Sequence, residues 1–332
     1  MRIYCLVIVS IVFAWGCKQN NISPDSEAEK YKVEIKRFEK DLFAISLDRM
    51  DSSFVDLRNN YPAFFELFNN RIINIGSSGT PGYNERLLEF ITNYDVNMGY
   101  NKVQEVFSDL SFLENQLSSA FSYYKYYFKE KKIPEVLTFI SGYNESIVIS
   151  DSLLAIGLDK YLGSDCDMYY KIGFPGYLRF KMNKDEIAAD CINSWLRTEY
   201  VYNDSVDNLL SQMVYNGKIL YVTKKLMPNM ADTLIIGYSG EQLEFCIKNE
   251  KKMWTYLAEQ QLLFNSDRLT ISKFINDGPF TRDFSNRSPA RAVTWIGWKI
   301  TESYMRKNKA SVSQLMNNNN YMDIYNKSRY VP

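Results

Sequence analysis

A short stretch near the middle of the chain carries three oxygen-bearing side chains at helical spacing. Between Lys184 and Glu199, the residues Glu186, Asp190 and Asn193 follow one another at steps of four and three, so a helix would present all three on one face. Two carboxylates in suitable surroundings can divide the roles of general acid and general base. The same pattern is typical of an ordinary solvated helix face, and the residues alone leave both interpretations open.

The chain of 332 residues contains no histidine, and this absence limits the available chemistry more than any motif does. Histidine is the usual general base near neutral pH and the commonest metal ligand. Ser-His-Asp and Cys-His nucleophile systems are therefore excluded, and so is every zinc site that depends on imidazole. Carboxylate pairs, Ser-Lys chemistry and all-oxygen metal sites are left.

The N-terminal segment has the pattern of a lipoprotein signal. One arginine precedes an apolar run of about thirteen residues, from Ile3 to Trp15, which fits a signal-peptide core and is too short to span a bilayer. Gly16 and Cys17 follow it, as at a lipoprotein cleavage site. We expect a signal peptide over residues 1–16, and a lipid on Cys17 with a flexible polar tether over residues 17–30. An uncleaved anchor or an ordinary signal peptide is the alternative.

The composition of the remaining chain indicates a folded protein without a strong net charge. Lys+Arg and Asp+Glu both number 39, so we expect no nucleic-acid partner. The 25 Tyr, 20 Phe and 5 Trp favour a substantial core. Beyond Cys17, only Cys166, Cys191 and Cys246 are present, and three thiols cannot all pair. One disulfide with a free thiol is possible, but we favour three buried thiols.

The elements around the carboxylate-bearing stretch predict one predominantly helical α+β domain over residues 31–332, with a small sheet between an N-terminal helical layer and a C-terminal helical half. Short β-branched or apolar runs predict strands, and apolar residues at three- and four-residue steps predict helices. The predicted strands are Val33–Phe38, Val136–Ile140, Ser146–Ser150 and Leu153–Leu158. The main predicted helices are Lys102–Lys131, Asp185–Tyr200, Asp204–Lys225, Gly240–Asn265 and Ala290–Lys307.

Glycines inside two of these helices indicate special surroundings. Gly217 follows Asn216 in the middle of a good helical pattern, where glycine costs roughly 1 kcal/mol relative to alanine. Either close packing or access for a ligand would explain it. Gly297, between two tryptophans, predicts the close approach of another backbone. We expect Arg291, at the start of that helix, either to pair with a buried carboxylate in a structural role or to bind a ligand.

Several stretches, in order along the mature chain, resemble the gliding-motility-associated lipoprotein B family of Bacteroidota. They are Ile35–Phe43, Tyr61–Phe65, Ala155–Gly163, Asn216–Tyr221, Asn249–Glu250 with Trp254, Gly278–Phe280, Trp295–Trp298 with Ser303–Met305, and Ser328–Pro332. The resemblance implies a part in gliding over surfaces and, less directly, a link to the secretion machinery that exports motility adhesins. It also implies protein partners within that apparatus.

That family in turn looks like a distant relative of predicted zinc peptidases, which place a His-Glu-x-x-His helix after a small sheet and a Glu-Gly pair on the next helix. The Asp185–Glu199 helix would stand for the first and Asn216-Gly217 for the second. The resemblance implies a zincin-like scaffold without its metal, with no cofactor and no catalytic residue. Its degenerate groove would comprise Glu186, Asp190, Asn193, Asn216 and Gly217. Peptides can bind such a scaffold as an added strand, along either Ser146–Ser150 or Leu153–Leu158.

Three functional hypotheses follow. The first is a non-catalytic lipoprotein, anchored through Cys17 and facing the periplasm, that holds a partner of the gliding or secretion apparatus. The second is a hydrolase of peptide or cell wall that uses carboxylates such as Glu186, Asp190 and Glu199; it requires at least one raised pKa in a cleft. The third is a solute- or glycan-binding lipoprotein, which requires an exposed aromatic cluster. We favour the first.

Overall fold

The structure is a computed structural model that describes residues 30–45 and 50–332, with the side chains of residues 50 and 51 excepted. The predicted signal peptide, the lipid-bearing Cys17 and all of the tether except its last residue lie outside the described residues. Those parts of the domain plan therefore stay predictions.

A four-stranded mixed sheet forms the centre of the described chain. Its strands are β1 (Ile35–Arg37), β2 (Glu135–Phe139), β3 (Ile147–Ser150) and β4 (Leu153–Gly157), in the spatial order β1-β2-β4-β3. β1 and β4 both run parallel to β2, whereas β3 pairs with β4 as an antiparallel hairpin. Of the two predicted edges, β3 lies at the edge of the sheet. The prediction that the Leu153–Leu158 run could be an edge is wrong, because β4 has a partner on each side.

The helices make up most of the remaining structure, which confirms the predominantly helical α+β class. Their bounds are α1 Phe38–Phe43, α2 Met50–Asn60, α3 Phe65–Leu67, α4 Tyr83–Thr92, α5 Tyr94–Val106, α6 Ser111–Tyr127, α7 Asp167–Ile172, α8 Gly176–Arg179, α9 Ile187–Glu199, α10 Leu209–Leu226, α11 Asp232–Ile236, α12 Gly240–Glu259, α13 Arg268–Ile275, α14 Ala292–Lys307, α15 Val312–Asn317 and α16 Tyr321–Ser328. A π-helical turn, Phe68–Ile72, continues α3, and 3-10 turns cover Leu158–Lys160, Lys184–Glu186 and Asp204–Val206.

Alternation along the two central strands separates the core into two layers. In β4, Leu153 and Ala155 pack with the residues of α1 to α4, while Leu154 and Ile156 pack with α5, α6 and the C-terminal helices. Side chains in a strand point alternately to opposite faces, so each face of the sheet carries its own helical layer. The sheet is therefore covered on both faces, and only its edges can be open.

The long helix predicted over Lys102–Lys131 is two helices, α5 and α6. The amide of Ser111, the first residue of α6, donates to Asp109 Oδ1 (3.0 Å), so the Asp109 side chain stabilises a turn between the two helices. The apolar spacing is nearly continuous across the break, with Phe107 and Leu110 both buried, and it therefore concealed the interruption. In the same way, the predicted helix Asp204–Lys225 begins late, because Asn208 caps α10 by accepting from the amide of Ser211.

Close packing between α10 and α14 explains the two glycines. A Cβ atom at Gly217 would lie 2.0 Å from the carbonyl oxygen of Gly297, and one at Gly297 would lie 1.8 Å from the carbonyl oxygen of Met213. No side chain fits at either contact, since real Cβ contacts stay well above 3 Å. The predicted close approach at Gly297 is confirmed, and Gly217 serves the packing of the same pair of helices.

The prediction of three buried cysteines is confirmed for two of them. Cys191 and Cys246 are buried, and Cys166 is half-buried. All three are free.

Helix α6 covers the β1 edge of the sheet. Every second amide from Tyr31 to Ile35 points towards this helix and donates to one of its side chains. The three acceptor side chains are spaced four residues apart along α6. The bonds are Tyr31 N to Ser122 Oγ (2.9 Å), Val33 N to Ser118 Oγ (2.9 Å) and Ile35 N to Glu114 Oε1 (3.0 Å). Side chains at i, i+4 and i+8 lie along one helix face, so this face replaces a further strand.

Candidate functional site

Helix α9 and the 3-10 turn before it position the predicted oxygen-bearing side chains. The opposite face of α9 is apolar and buried through Ile187, Ala188, Cys191, Ile192 and Trp195. This burial fixes the rotation of the helix, so that Asp190 and Asn193 face the start of strand β3. Glu186 belongs to the preceding turn and is only 5% exposed.

Strand β3 presents an open backbone edge beside this helix. The amide of Gly157 donates to the carbonyl oxygen of Ser146 (2.8 Å), so Ser146 and Gly157 are a hydrogen-bonded pair of the antiparallel ladder. Hydrogen-bonded and non-hydrogen-bonded pairs alternate along such a ladder, so Ile147 and Ile149 occupy non-hydrogen-bonded positions opposite β4. The amides and carbonyls of Ile147 and Ile149 therefore point away from β4. Among the described residues, these backbone groups have no hydrogen-bond partner. All four residues of β3 are half-buried, and none is charged.

A buried carboxyl group fixes the loop that leads into β3. Asp159 is fully buried and accepts hydrogen bonds from the amides of Ser141 (3.0 Å) and Tyr143 (2.6 Å). Burial raises its pKa to about 6, against the opposing effect of these bonds. The loop from Ser141 to Glu145 also approaches Gly157 closely, since a Cβ there would lie 2.1 Å from the Glu145 carbonyl oxygen. The position of the open edge is therefore set by packed backbone.

A cavity of about 370 Å³ lies between the start of β3 and helix α9; we call it the edge cavity. Its walls come from the β3 start, the 3-10 turn after β4, helices α8 to α11 and the loops between elements. The lining residues are Ser146, Ile147, Lys160, Tyr161, Phe174, Leu178, Lys181, Met182, Asp190, Asn193, Ser194, Arg197, Leu220, Leu234, Ile235, Ile236, Gly237, Asp277 and Arg291. This volume is within the range of ligand-binding cavities.

Asp190 forms the polar floor of the edge cavity together with Tyr161. The Tyr161 hydroxyl donates to Asp190 Oδ2 over 2.9 Å. Burial raises the pKa of Asp190 to about 6, while the Tyr161 bond and the nearby Lys181 and Arg291 lower it. At neutral pH this half-buried carboxyl group is mostly ionised, although its partial removal from water makes the charge costly.

Glu186 is the more strongly perturbed of the two acids. Burial and then the charge of Asp190 raise its pKa to about 8, against the opposing effects of Lys181 and Arg291. The described residues provide no hydrogen bond to its side chain. Glu186 is therefore mostly protonated at neutral pH, so Asp190 carries the negative charge of the pair.

Two cations of the edge cavity are paired with one carboxylate. Asp277 Oδ1 lies 2.9 Å from Lys181 Nζ and 2.7 Å from Arg291 Nε. Arg291 immediately precedes α14 in a left-handed conformation (φ 56°). Both cations hold the pKa of Asp277 below its usual value, although burial opposes them. Arg291 thus pairs with a carboxylate and lines the cavity as well.

A family comparison matches almost the whole chain. The sequence model for gliding motility protein GldB matches residues 19–332. The chain belongs to the gliding motility protein GldB family. No curated protein and no solved structure matches it. In the described part of this GldB family member, no helix is both long and apolar enough to cross a bilayer.

The predicted groove residues of the GldB family chain separate into two groups. Asp190 and Asn193 line the edge cavity, and Glu186 lies behind them. Asn193 is held by Thr223 Oγ1, which donates to its Oδ1 (3.1 Å). Asn216 and Gly217 do not line the edge cavity. Asn216 Oδ1 accepts from Arg197 Nη2 (2.7 Å), so it supports a wall residue from the second helix.

The zincin-like resemblance stays a prediction. Helix α9 follows the small sheet and packs beside its antiparallel edge strand, and α10 follows as the next long helix. Within residues 30–45 and 50–332, no three Cys, Asp or Glu side chains are grouped as metal ligands would be.

Sequence reasoning missed most of the polar wall of the edge cavity. Tyr161 lies within the Ala155–Gly163 stretch that carries the family resemblance, and this was the only available signal for it. Lys160 shares that stretch. Lys181 and Asp277 come from separate segments, and only the fold brings them together. Arg197 lies on α9, four residues after Asn193, so its spacing was an available signal that was missed.

Proposed function

We propose that the chain is a lipid-anchored, non-catalytic component of the gliding apparatus that holds a partner protein by adding a strand of that partner to β3. Membership of the GldB family implies a part in gliding motility. The anchor on Cys17, the periplasmic orientation and the link to a motility or secretion partner belong to this proposal.

The open β3 edge carries the proposal. Natural proteins protect sheet edges with charges, prolines, bulges or covering elements, because unpaired edges recruit other strands. β3 has the sequence Ile-Val-Ile-Ser, with outward amides at Ile147 and Ile149 and no charge. Main-chain pairing provides affinity in strand-addition complexes, and side pockets provide specificity. The edge cavity is a pocket at the start of this strand.

The proposal is tested by photo-crosslinking in gliding cells that lack their own copy of the gene. A photoreactive residue replaces Ser150 at the open edge or, as the matched position, Lys36 in the covered strand β1. We expect a discrete protein adduct from position 150 and none from position 36. Adding Ile149→Pro, which removes one outward amide, is expected to abolish the adduct. An adduct that survives Ile149→Pro would contradict strand addition.

A carboxylate-dependent hydrolase is the second candidate, and the raised pKa values of Glu186 and Asp190 favour it. Asp190→Asn separates the two functions, since an amide oxygen can still accept from Tyr161 but cannot act as base or nucleophile. We expect Asp190→Asn cells to glide as the wild type does. Loss of gliding by a variant that keeps both its melting temperature and its position-150 adduct would support the hydrolase instead.

A further inference from the structure

The edge cavity has more cationic than anionic side chains. Four cations line it, Lys160, Lys181, Arg197 and Arg291, together with two carboxylates, Asp190 and Asp277. Asp277 is shared between Lys181 and Arg291. In the described ranges, no carboxylate is ion-paired with either Lys160 or Arg197.

Neutral groups hold these two cations in place. Lys160 Nζ lies 3.3 Å from the carbonyl oxygen of Tyr143 and 4.0 Å from the centre of the Phe174 ring. Arg197 donates to Asn216 Oδ1 (2.7 Å) and lies 5.6 Å from the Tyr215 ring. Burial lowers the pKa of both side chains. Within the described chain, each of these cations lacks a carboxylate partner and can form charge-assisted hydrogen bonds with an anionic group that enters the cavity.

The direction of β3 determines which end of an added strand would reach the edge cavity. The cavity is lined by Ser146 and Ile147, at the start of β3. A strand that pairs antiparallel with β3 ends beside that start, so its carboxyl end approaches the cations. A parallel strand would place its amino end there, and an α-ammonium group would meet like charges. Charge complementarity therefore favours the antiparallel direction.

We propose that the edge cavity receives the C-terminal carboxylate of the partner, whose last residues add antiparallel to β3. This inference rests on the proposed strand addition and names the part of the partner that takes part. Lys160 and Arg197 pair with the carboxylate. The apolar lining from Ile147, Leu220 and Leu234 receives the last side chain, which is therefore apolar.

The probe is a peptide library displayed with free C-termini, selected on the full-length chain in detergent micelles. Each selected peptide is then synthesised with a C-terminal acid and with a C-terminal amide. We expect the selection to favour an apolar last residue, and we expect amidation to weaken binding by about tenfold or more.

Three variants locate the interaction. Lys160→Gln is expected to weaken binding of the acid about tenfold and to leave binding of the amide unchanged, since the coupling is specific to the carboxylate. Lys171→Gln replaces an exposed lysine outside the edge cavity and serves as the matched control, with no change expected. Ile149→Pro is expected to abolish binding of both peptides. Because the acid and amide are compared on one protein, misfolding of Lys160→Gln cannot imitate its result. The Ile149→Pro result is taken only from protein that keeps its melting temperature.

The outcomes distinguish this inference from the proposed function. If the amide binds as tightly as the acid while Ile149→Pro still abolishes binding, strand addition stands and the carboxylate site is wrong. Selected peptides that depend on an internal acidic residue and tolerate amidation would also overturn the carboxylate site. A selection that returns no peptide dependent on Ile149 would count against strand addition itself.

Discussion

The two edges of the sheet differ in how their backbone groups are satisfied. On the β1 side, one face of α6 provides Glu114 as the acceptor for the Ile35 amide, and Ser118 and Ser122 as acceptors for two alternate amides just before the strand. Along the β3 edge, the outward amides of Ile147 and Ile149 have no acceptor among the described residues. Both edges belong to the same short sheet and are covered on both faces by helices.

The difference is that side chains of helix α6 close the sheet on the β1 side, whereas no helix of the described chain provides acceptors for the outward amides of β3. The cover over β1 and the segment before it consists of three oxygen-bearing side chains, which lie at four-residue intervals on a helix that also packs in the core. β3 has no such cover, no charge and no proline, and a cavity with an excess of cations lies at its start. Because unpaired edges recruit other strands, this open edge is the observation on which the proposed partner binding depends.

The largest expected effect is on the covered side. Glu39 is fully buried, pairs with Arg37 Nε and accepts from Thr138 Oγ1 (2.7 Å). Glu39→Ala leaves the Arg37 charge without its partner, so we expect the free energy of unfolding to fall by roughly 3–5 kcal/mol. Chemical denaturation measures it. Glu34→Ala, which removes an exposed partner of Lys32 nearby, is the control and is expected to change little.

The next effect concerns the edge cavity and depends on pH. The folded pKa of Glu186 is about 8, above its ordinary value of 4.5. Between these pH values the unfolded chain has released a proton that the folded chain retains, so stability falls as pH rises from about 5 to 8. Glu186→Gln removes this loss. We expect its melting temperature to exceed that of the wild type by a few degrees at pH 8, and by less at pH 5.

Thermal unfolding of the two proteins at pH 5, 6, 7 and 8 measures this difference. The comparison isolates Glu186 because Asp190 and Asp159, whose pKa values are also raised, are present in both proteins. A constant gap between the two melting curves across this range would show that Glu186 is not protonated in the folded chain.

A smaller effect is expected where α6 closes β1. Glu114→Ala removes the acceptor for the Ile35 amide and is expected to cost about 1 kcal/mol. Glu114→Gln keeps a side-chain oxygen at the same position and is expected to cost less. Denaturation of both variants tests whether the covering is a hydrogen bond. Equal losses for the two would assign the effect to the charge of Glu114.

The sequence predicted the presence of the helices and strands better than it predicted their first and last residues. Local patterns sufficed for all four strands and for the helix that carries Asp190. The break between α5 and α6 was missed because Phe107 and Leu110 are buried through the interruption and keep the apolar spacing almost regular. The place of β4 inside the sheet was also not predicted, since the sequence indicates the β3–β4 hairpin but not the parallel pairing of β2 with β4.

The site was predictable only where its residues share one helix. The spacing of Glu186, Asp190 and Asn193 identified the correct helix face. Lys181 and Asp277 reach the edge cavity from separate segments through tertiary packing, which leaves no local pattern. Arg197 lies one turn after Asn193 on the same helix, and it was missed although its spacing continues the pattern. Gly217 was assigned correctly to a special environment, and the structure assigns it to the contact with Gly297. The cover of β1 has a local signal in Glu114, Ser118 and Ser122, but only the paired strand shows its meaning.

The most direct test of the open edge is surface gliding by cells that carry Ile149→Pro as their only copy. The Ile149 amide points away from β4, so proline removes an outward donor without breaking the ladder of the hairpin. Ile149→Val, which keeps the amide, is the matched control. With equal protein levels and similar melting temperatures, we predict that Ile149→Val cells glide and Ile149→Pro cells do not. Normal gliding by Ile149→Pro cells would contradict the account.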